Sequence, residues 1–303
     1  FWLKLFGSDS GISISAPPPS TMVSLEGKVV LIVGASSGIG EGIVRGLARE
    51  HGVKLALAAR RSDRLEAIIT ELKENASKNK LQDALAVPMD ATSRPAVQAG
   101  VQSVVAKFGR IDVLINCAGV MYFTLMKNLH LDEWERTVDI NCKGTMNGCG
   151  AVLPLFLEQK SGHIVNISSD AARQTFPALT VYNASKAFVH EFTRGMRCEL
   201  IGSGVRVTEV LPGDVRTDLI AQNSDKEAAG KVGVNIGTKI GGTDAEFAEA
   251  MAKDAATRFS YLEPEDVAQA VMYALTAPCH VGVNEILVEP RDQMFGDPTS
   301  LGV

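Results

Sequence analysis

The stretch KVVLIVGASSGIG, residues 28–40, sets the architecture of this chain. Residues 28–33 form a continuous apolar, β-branched run, which is typical of a parallel strand buried on both faces. The glycine-rich half follows directly, and residues 42–51 have the periodicity of an amphipathic helix. A glycine loop between strand and helix lets the backbone approach a pyrophosphate at the helix N-terminus, where free N–H groups lie. The alternative is an ordinary glycine-rich turn.

The second predicted strand, 54–59, completes a βαβ unit and ends at Arg60 and Arg61. In dinucleotide-binding folds, an acid about 20 residues beyond the glycines binds the ribose of NAD, whereas an arginine accommodates the 2′-phosphate of NADP. A guanidinium matches a phosphate in charge and in hydrogen-bond geometry. The sequence therefore favours NADP(H) over NAD(H). Alternatively, both arginines are solvated and pair with Asp63 or Glu66.

The strand–helix alternation continues and predicts a single α/β domain. Strands are expected at 84–89, 111–115, 162–167, 205–211 and 285–288. Helices are expected at 62–75, 93–108 and 131–157, from about 182 to 201, and from Pro264 onward.

Polar and small residues follow several of these strands. Asp90-Ala91 ends the third strand, and its carboxylate would either accept from an adenine amino group or cap the next helix. The sequence 116–119, Asn-Cys-Ala-Gly, ends the fourth strand, and its small residues allow close approach to a ligand. Asn141 lies inside a predicted helix, where it marks a kink or a surface position.

Tyr182 and Lys186 are four residues apart, and no other tyrosine of the chain has a lysine at that spacing. On a helix the two side chains share one face. A nearby cation favours the phenolate and lowers the pKa of a tyrosine, so that the phenol can exchange a proton near neutral pH. Ser169 lies 13 residues earlier, after the fifth strand. The alternative is an ordinary helix pair.

Composition narrows the class of protein. The 303 residues carry a net charge of −5 and show no basic stripe, which argues against nucleic acid as a partner. No apolar run reaches the ~18 residues that span a bilayer. Five scattered cysteines predict reduced thiols in a cytoplasmic compartment, and the five histidines have no metal-ligand spacing, so no metal is predicted.

Three segments are distinguished along the chain. Residues 1–21 are interpreted as a flexible extension, either native or introduced for expression, with Met22 as a plausible start. Residues 22–292 form the predicted domain, and 293–303 a C-terminal tail. Within the domain, 214–260 are rich in Gly, Ala, Lys and Asp and are interpreted as a substrate lid, or over 222–245 as a surface insertion.

Over roughly residues 26–290 the pattern closely resembles the classical short-chain dehydrogenase/reductase family. The marks are Gly34-x-x-x-Gly38-x-Gly40, the 116–119 sequence, Asn141, Ser169, Tyr182-x-x-x-Lys186, and Pro212-Gly213 with Thr217. Two residues depart from the family pattern, since Val33 stands where threonine is usual and Cys117 where a second asparagine is usual. Neither departure removes a catalytic group.

The resemblance implies a Rossmann-type, doubly wound, mostly parallel seven-stranded sheet with helices on both faces. It implies an NADP(H)-dependent oxidoreductase that interconverts a secondary alcohol and a carbonyl. Tyr182 would be the general acid/base, Lys186 would lower its pKa and hold the nicotinamide ribose, and Ser169 would donate to the substrate oxygen. Asn141 would hold a water that links Lys186 to solvent.

The resemblance also implies which residues hold the cofactor. They are Gly34, Ser36, Ser37, Gly38, Ile39, Gly40, Arg60, Arg61, Asp90, Ala91, Asn116, Ala118, Gly119, Tyr182, Lys186, Pro212, Gly213, Val215 and Thr217. A homodimer or homotetramer is expected by analogy.

The C-terminal third looks like an NADP-dependent branch that includes 3-hydroxy acid (serine-type) dehydrogenases and ketosteroid and carbonyl reductases. Candidate pocket residues are Met121, Tyr122, Asp170, Arg173, Gln174 and Phe176. Arg173 would pair with the carboxylate of a 3-hydroxy acid, or alternatively with Asp170 or an acid of the lid. Reduction of an apolar ketone and non-catalytic sensing of NADP(H) are the other functions considered.

Overall fold

The computed structural model describes residues 22–219, 224–231, 261–291 and 293. The predicted extension, most of the predicted lid and nearly all of the predicted tail lie outside these residues. Within them, seven strands form one sheet in the order β3-β2-β1-β4-β5-β6-β7. Every neighbouring pair is parallel, which confirms the doubly wound sheet and extends "mostly parallel" to all of its strands.

The strands are β1 Val29–Val33, β2 Lys54–Ala59, β3 Asp83–Pro88, β4 Val113–Asn116, β5 Gly162–Ile167, β6 Val205–Pro212 and β7 Glu285–Val288. The helices are α1 Gly38–Glu50, α2 Ser62–Glu74, α3 Arg94–Phe108, α4 Leu131–Thr137, α5 Thr145–Gln159, α6 Thr180–Glu199, α7 Lys226–Lys231 and α8 Pro264–Thr276.

Side chains of β1 alternate between two hydrophobic cores, as the period of two in a strand requires. Val30 and Ile32 lie in the core that α1, α2 and α8 cover, whereas Leu31 and Val33 lie in the core that α3 and α5 cover. Burial on both faces explains why this strand is apolar without interruption. The chain winds outward from β1 to β3 and then crosses to β4, so a ligand crevice is expected beyond the carboxyl ends of β1 and β4.

The predicted helix 131–157 is interrupted by a π-helical segment, Val138–Gly144, between α4 and α5. Asn141 lies in this segment and is 1% exposed, so it is a buried residue at a helix irregularity. Wide π-turns of this kind are frequent at functional sites.

His163 on β5 is a buried titratable group away from the glycine loop. Its Nε2 lies 2.8 Å from the Thr208 hydroxyl, which itself donates to the Val283 carbonyl, so His163 is the donor of the pair. Burial, aided by the charge of Arg206, lowers the pKa of His163 to about 3.

We expect this histidine to make the fold sensitive to acid. Between pH 6.5 and 3 the unfolded chain binds a proton that the folded chain does not, so stability falls as pH falls, by at most about 1.4 kcal/mol per pH unit. Urea unfolding of wild type and His163→Gln at pH 7 and pH 5 measures the effect. The variant should lose less stability on acidification, and equal losses would contradict the assignment.

Candidate active site

A cleft of about 840 Å³ lies at the carboxyl ends of the central strands. All predicted cofactor residues except Asn116 line it: Gly34, Ser36, Ser37, Gly38, Ile39, Gly40, Arg60, Arg61, Asp90, Ala91, Ala118, Gly119, Tyr182, Lys186, Pro212, Gly213, Val215 and Thr217. Residues distant in sequence therefore converge on one crevice at the predicted switch point of the sheet.

Two glycines of the loop, Gly34 and Gly40, are packed so closely against backbone that neither position has room for a side chain. A Cβ on Gly40 would lie 2.1 Å from the Gly34 carbonyl oxygen, and one on Gly34 would lie 2.5 Å from the Ala118 nitrogen. Gly34 also has a φ of +92°, a conformation that favours glycine. Helix α1 starts at Gly38, four residues earlier than predicted, because the last loop glycines already have helical hydrogen bonding. The helix N-terminus thus faces the cleft as an anion-binding end.

Gly40→Ala is expected to raise the Kd for NADPH at least tenfold, because the added methyl displaces the loop backbone. Titration of NADPH fluorescence measures this constant. Gly150→Ala is the matched control, since Gly150 lies on α5 with nothing within 4 Å of the added Cβ. The control should bind NADPH as wild type does, and an unchanged Kd in Gly40→Ala would contradict the assignment of this loop.

Arg61 is tied to the glycine loop. Its Nη2 donates to the Ser37 hydroxyl at 2.9 Å and to the Ser36 hydroxyl at 3.0 Å. Neither Arg60 nor Arg61 has a carboxylate of Asp63 or Glu66 within 4.0 Å, so the alternative that they pair with these acids is not what the structure shows. Two guanidinium groups therefore border the cleft beside β2, with no acid at the end of that strand.

Asp90 lies in the cleft and does not cap α3. Its Oδ1 accepts from the backbone N–H and the hydroxyl of Thr92, while Ser93 caps α3 by accepting from the Ala96 N–H. Burial acts to raise the pKa of Asp90, but these hydrogen bonds and the charge of Arg60 together hold it below its usual value. The carboxylate is thus an ionised acceptor at the third strand end.

The side chain of Asn116 points away from the cleft. It is buried, and its Nδ2 donates to Asn166 Oδ1 at 2.9 Å and to Cys149 Sγ at 3.3 Å. The predicted contact with the cofactor therefore does not come from this side chain. The next residue, Cys117, does line the cleft, and burial raises the pKa of its thiol to about 12 against the opposing charge of Lys186. The thiol is accordingly neutral at physiological pH.

Tyr182 and Lys186 lie on one face of α6, as their spacing predicts. The Lys186 Nζ is 5.7 Å from the centroid of the Tyr182 ring and donates to the Ile167 carbonyl at 3.2 Å. Burial lowers the pKa of Lys186 to about 8. The pKa of Tyr182 is raised, chiefly by burial and also by the charges of Asp170 and Asp214, while hydrogen bonding with Ser169 lowers it. This direction is opposite to the one predicted from the spacing with Lys186, because burial is the largest influence on this phenol.

Ser169 lies beside the phenol but is bonded to its neighbour in sequence. Its hydroxyl donates to Asp170 Oδ1 at 2.8 Å and accepts from the Ala171 N–H at 3.2 Å. Neither Ser169 nor Asn141 is among the residues that line the cleft. The hydroxyl would have to rotate from Asp170 to donate to a substrate oxygen.

Asn141 connects the loop after β4 with α6. Its Oδ1 accepts from the Val120 N–H, and its Nδ2 donates to the Val120 carbonyl and the Ser185 hydroxyl. All three distances are 2.9–3.0 Å, so the amide is fully engaged by protein. The role visible in the structure is to hold the loop and helix together. The predicted water relay stays a prediction.

The predicted pocket residues have different surroundings. Met121 lines the cleft, and Phe176 packs with Tyr182 in a small apolar cluster. Tyr122 is buried and is not among the lining residues. Arg173 forms an ion pair with Glu285 on β7, which is neither of the partners proposed from the sequence.

The carboxylate of Asp170 is held by amide and hydroxyl groups. Its Oδ2 accepts from Gln174 Nε2 at 3.3 Å and from Gln293 Nε2 at 2.7 Å. Gln293 was assigned to the tail, yet its Oε1 also accepts from the Asp214 N–H at 2.9 Å. One glutamine therefore joins Asp170 to the loop after β6.

Asp214 is a titratable cleft residue that the sequence analysis did not predict. It follows Pro212-Gly213 at the end of β6, and burial together with the charge of Asp170 raises its pKa to about 6. Its position directly after a strand could have indicated this role. The same position led to the prediction of Asp90 as a site residue. Asp170 and Asp214 together make the surroundings of the phenol negative.

The fold and the cleft define a dinucleotide-binding α/β protein with a buried Tyr–Lys pair. A family model described as short chain dehydrogenase matches residues 28–228. The chain belongs to the short-chain dehydrogenase/reductase family of oxidoreductases.

Curated relatives agree with this placement. The chain is 45% identical over 269 residues to glycine betaine reductase ATRR of Emericella nidulans, a match that covers 89% of this chain but only 19% of that protein. It is 36% identical over 269 residues to an uncharacterized oxidoreductase of Staphylococcus aureus, which covers 89% of this chain and the whole of that protein.

Solved structures agree as well. The closed form of serine dehydrogenase complexed with NADP+ has a TM-score of 0.73 and 30% identity, covering 89% of this chain and 97% of that one. An alcohol dehydrogenase of the archaeon Thermococcus sibiricus complexed with 5-hydroxy-NADP has a TM-score of 0.71 and 28% identity, covering 90% and 100%.

Two further predictions from the sequence were that the cysteines are reduced thiols and that no segment is apolar enough to span a membrane. All five cysteines are free thiols, as predicted. Among the described residues, no helix combines the length and apolar character that a membrane span requires.

Proposed function

We propose that this chain is an NADP(H)-dependent oxidoreductase that interconverts an alcohol and a carbonyl compound at Tyr182. The observation that carries the proposal is the position of Tyr182 and Lys186 in the same cleft as the side-chain-free cradle of Gly34 and Gly40. Such a cradle suits a pyrophosphate at the N-terminus of α1. A bound nicotinamide would supply or accept the hydride.

Arg60 and Arg61 support NADP(H) over NAD(H). Both border the cleft, and Arg61 is already oriented by the loop serines toward the place where a 2′-phosphate would lie. The two similar solved structures described above carry NADP or an NADP derivative, which agrees with this preference.

Tyr182 would serve as proton donor in the reductive direction. Its raised pKa keeps the phenol protonated at neutral pH, so a proton is available when a carbonyl oxygen gains negative charge. Lys186, as an ammonium beside the ring, would stabilise the phenolate that remains. Ser169 would donate a second hydrogen bond to the same oxygen.

The charges near Tyr182 favour a cationic or neutral substrate over a 3-hydroxy acid. Arg173, the proposed partner of a substrate carboxylate, is paired with Glu285. Asp170 and Asp214 place negative charge beside the phenol, which would repel a carboxylate and attract an ammonium group. The relative ATRR is named for glycine betaine, which carries a quaternary ammonium group as well as a carboxylate, and the ammonium group agrees with an attraction to Asp170 and Asp214.

A panel of carbonyl compounds that differ only in charge tests the function. NADPH consumption is followed by absorbance with trimethylammonium, neutral isosteric and carboxylate-bearing aldehydes and ketones. We expect turnover with some members and the highest kcat/KM for the cationic ones. Asp214→Asn should reduce the cationic preference, because it removes one of the two charges. Absence of NADPH consumption with every compound would favour the NADP(H)-sensing alternative, and preference for the carboxylates would contradict the substrate class.

A further inference from the structure

A polar layer lies between the sheet and α6, directly beneath the catalytic tyrosine and lysine. Asn166 on β5 and Glu209 on β6 are register partners, so their side chains share one face of the sheet. On that face Asn166 donates to the Thr193 hydroxyl, and Glu209 Oε2 lies 2.7 Å from His190 Nδ1. Both contacts are to α6. A glutamate carboxyl group is thus placed against the helix that carries Tyr182 and Lys186.

Glu209 is an unusual residue for this position. It is 0% exposed, and its second oxygen, Oε1, has no hydrogen-bond partner within the part of the chain that the structure describes. An ionised carboxylate in such a place is costly unless a positive charge lies near.

Lys186 is the amine that this layer offers, beside the imidazole of His190 that contacts Glu209. It lies one turn before His190 on the same face of α6, and its ammonium reaches the carbonyl of Ile167, the residue after Asn166. We propose that Glu209 is the buried counter-charge that keeps Lys186 in its ammonium form, and that His190 holds the Glu209 carboxylate for this role. Glu209 acts through Lys186 and is a positioning residue.

The other groups around Lys186 do not supply this charge. Burial lowers the pKa of Lys186, and the groups that act in the opposite direction are Cys117, Cys142 and Glu209. Burial raises the pKa of both thiols, so they are neutral near pH 7. Glu209 is the one carboxylic acid among these three groups.

Two further carboxylates, those of Glu285 and Glu191, lie near His190 and Glu209. Glu285 on β7 comes within 4.8 Å of both residues, but its carboxylate pairs with Arg173 and Arg197. Glu191 is 3.9 Å from His190 Nε2 on the solvent side. Glu285 is already paired with two guanidinium groups, so a metal ion bound by His190, Glu209 and Glu285 would add positive charge beside them. The arrangement therefore favours the counter-charge function of Glu209 over a cation site.

The first test is the pH profile of kcat/KM for carbonyl reduction, and it rests on the proposed function. Glu209→Gln should move the alkaline limb to lower pH by about one unit, because Lys186 loses its counter-charge. Glu209→Asp keeps the charge and should restore most of the wild-type profile. Asp112→Asn, a buried carboxylate paired with Lys28 and Arg110, is the control and should leave the limb in place. A Glu209→Gln profile that superimposes on wild type would overturn the inference.

The second test needs no turnover. A double-mutant cycle of Glu209→Gln and Lys186→Met measures their coupling in the free energy of unfolding as pH rises. Coupling should be present at pH 7 and vanish once Lys186 loses its proton, above about pH 8. Zero coupling at every pH would overturn the inference, even if wild type shows no reductase activity and the proposed function fails.

A pair of His190 variants covers the case in which Glu209→Gln does not fold. His190→Phe removes the group that contacts Glu209 Oε2 and should move the alkaline limb in the same direction as Glu209→Gln. His190→Asn places an amide near the same position and should keep the limb close to wild type. If the alkaline limb of the pH profile is the same in both variants and in wild type, the proposed role of His190 in holding the Glu209 carboxylate is contradicted.

Discussion

Tyr182→Phe is expected to lower kcat/KM for carbonyl reduction by about 10²–10⁴-fold, because we propose the phenol, which lies beside Lys186 in the cleft, as the proton donor. The substitution removes one oxygen from a residue that already packs with Ala171 and Leu179, so the ring should stay in place. The Kd for NADPH should change little. Steady-state kinetics and NADPH fluorescence measure the two quantities separately.

Tyr273→Phe is the matched control, because Tyr273 lies on α8 and is 62% exposed. It should retain wild-type rates. If Tyr182→Phe keeps full activity on a good carbonyl substrate, the assignment of the proton donor is wrong. If wild type itself is inactive while NADPH still binds, the sensing alternative gains support.

Arg60→Ala and Arg61→Ala are expected to weaken NADPH binding by about tenfold to a hundredfold each, and Arg60→Ala should leave NADH binding nearly unchanged. The reason is that a guanidinium–phosphate contact is a charge-assisted hydrogen bond worth roughly 1.5–3 kcal/mol, and NADH has no 2′-phosphate. The effect of Arg61→Ala has a second source, since its contacts with Ser36 and Ser37 also order the glycine loop. We therefore expect Arg60→Ala to be the more selective of the two.

The control for these variants is Arg64→Ala, which removes a guanidinium from α2 whose partner is Glu41. It should bind both cofactors as wild type does. Equal losses for NADPH and NADH in Arg60→Ala would contradict the proposed recognition of the 2′-phosphate.

Local patterns were sufficient to predict most of the fold. Strands β2, β5 and β7 have the predicted bounds, because each is a short apolar run between turn-forming residues. The convergence of the glycine loop with Tyr182 and Lys186 was also predictable. Parallel strands bring their carboxyl ends to one edge of the sheet whatever the length of the connections.

Contacts between distant side chains were not predictable from the sequence. Nothing local distinguishes Asn116, which is bonded to Asn166 beneath the sheet edge, from a residue that faces the cleft. Arg173 pairs with Glu285 only because β7 lies next to β6. The raised pKa of Tyr182 likewise depends on burial, which the i, i+4 spacing with Lys186 does not report.

Transfer of deuterium from NADPH that carries two deuterium atoms at C4 of the nicotinamide tests the central claim most directly. The best carbonyl substrate of the charge panel is incubated with wild type, and the alcohol is analysed by mass spectrometry and NMR. We predict one deuterium at the carbinol carbon of each product molecule, and at least a hundredfold less of this alcohol when Tyr182→Phe replaces wild type for the same time. Product without deuterium at that carbon, or oxidation of NADPH without any alcohol formed, would contradict hydride transfer in this cleft.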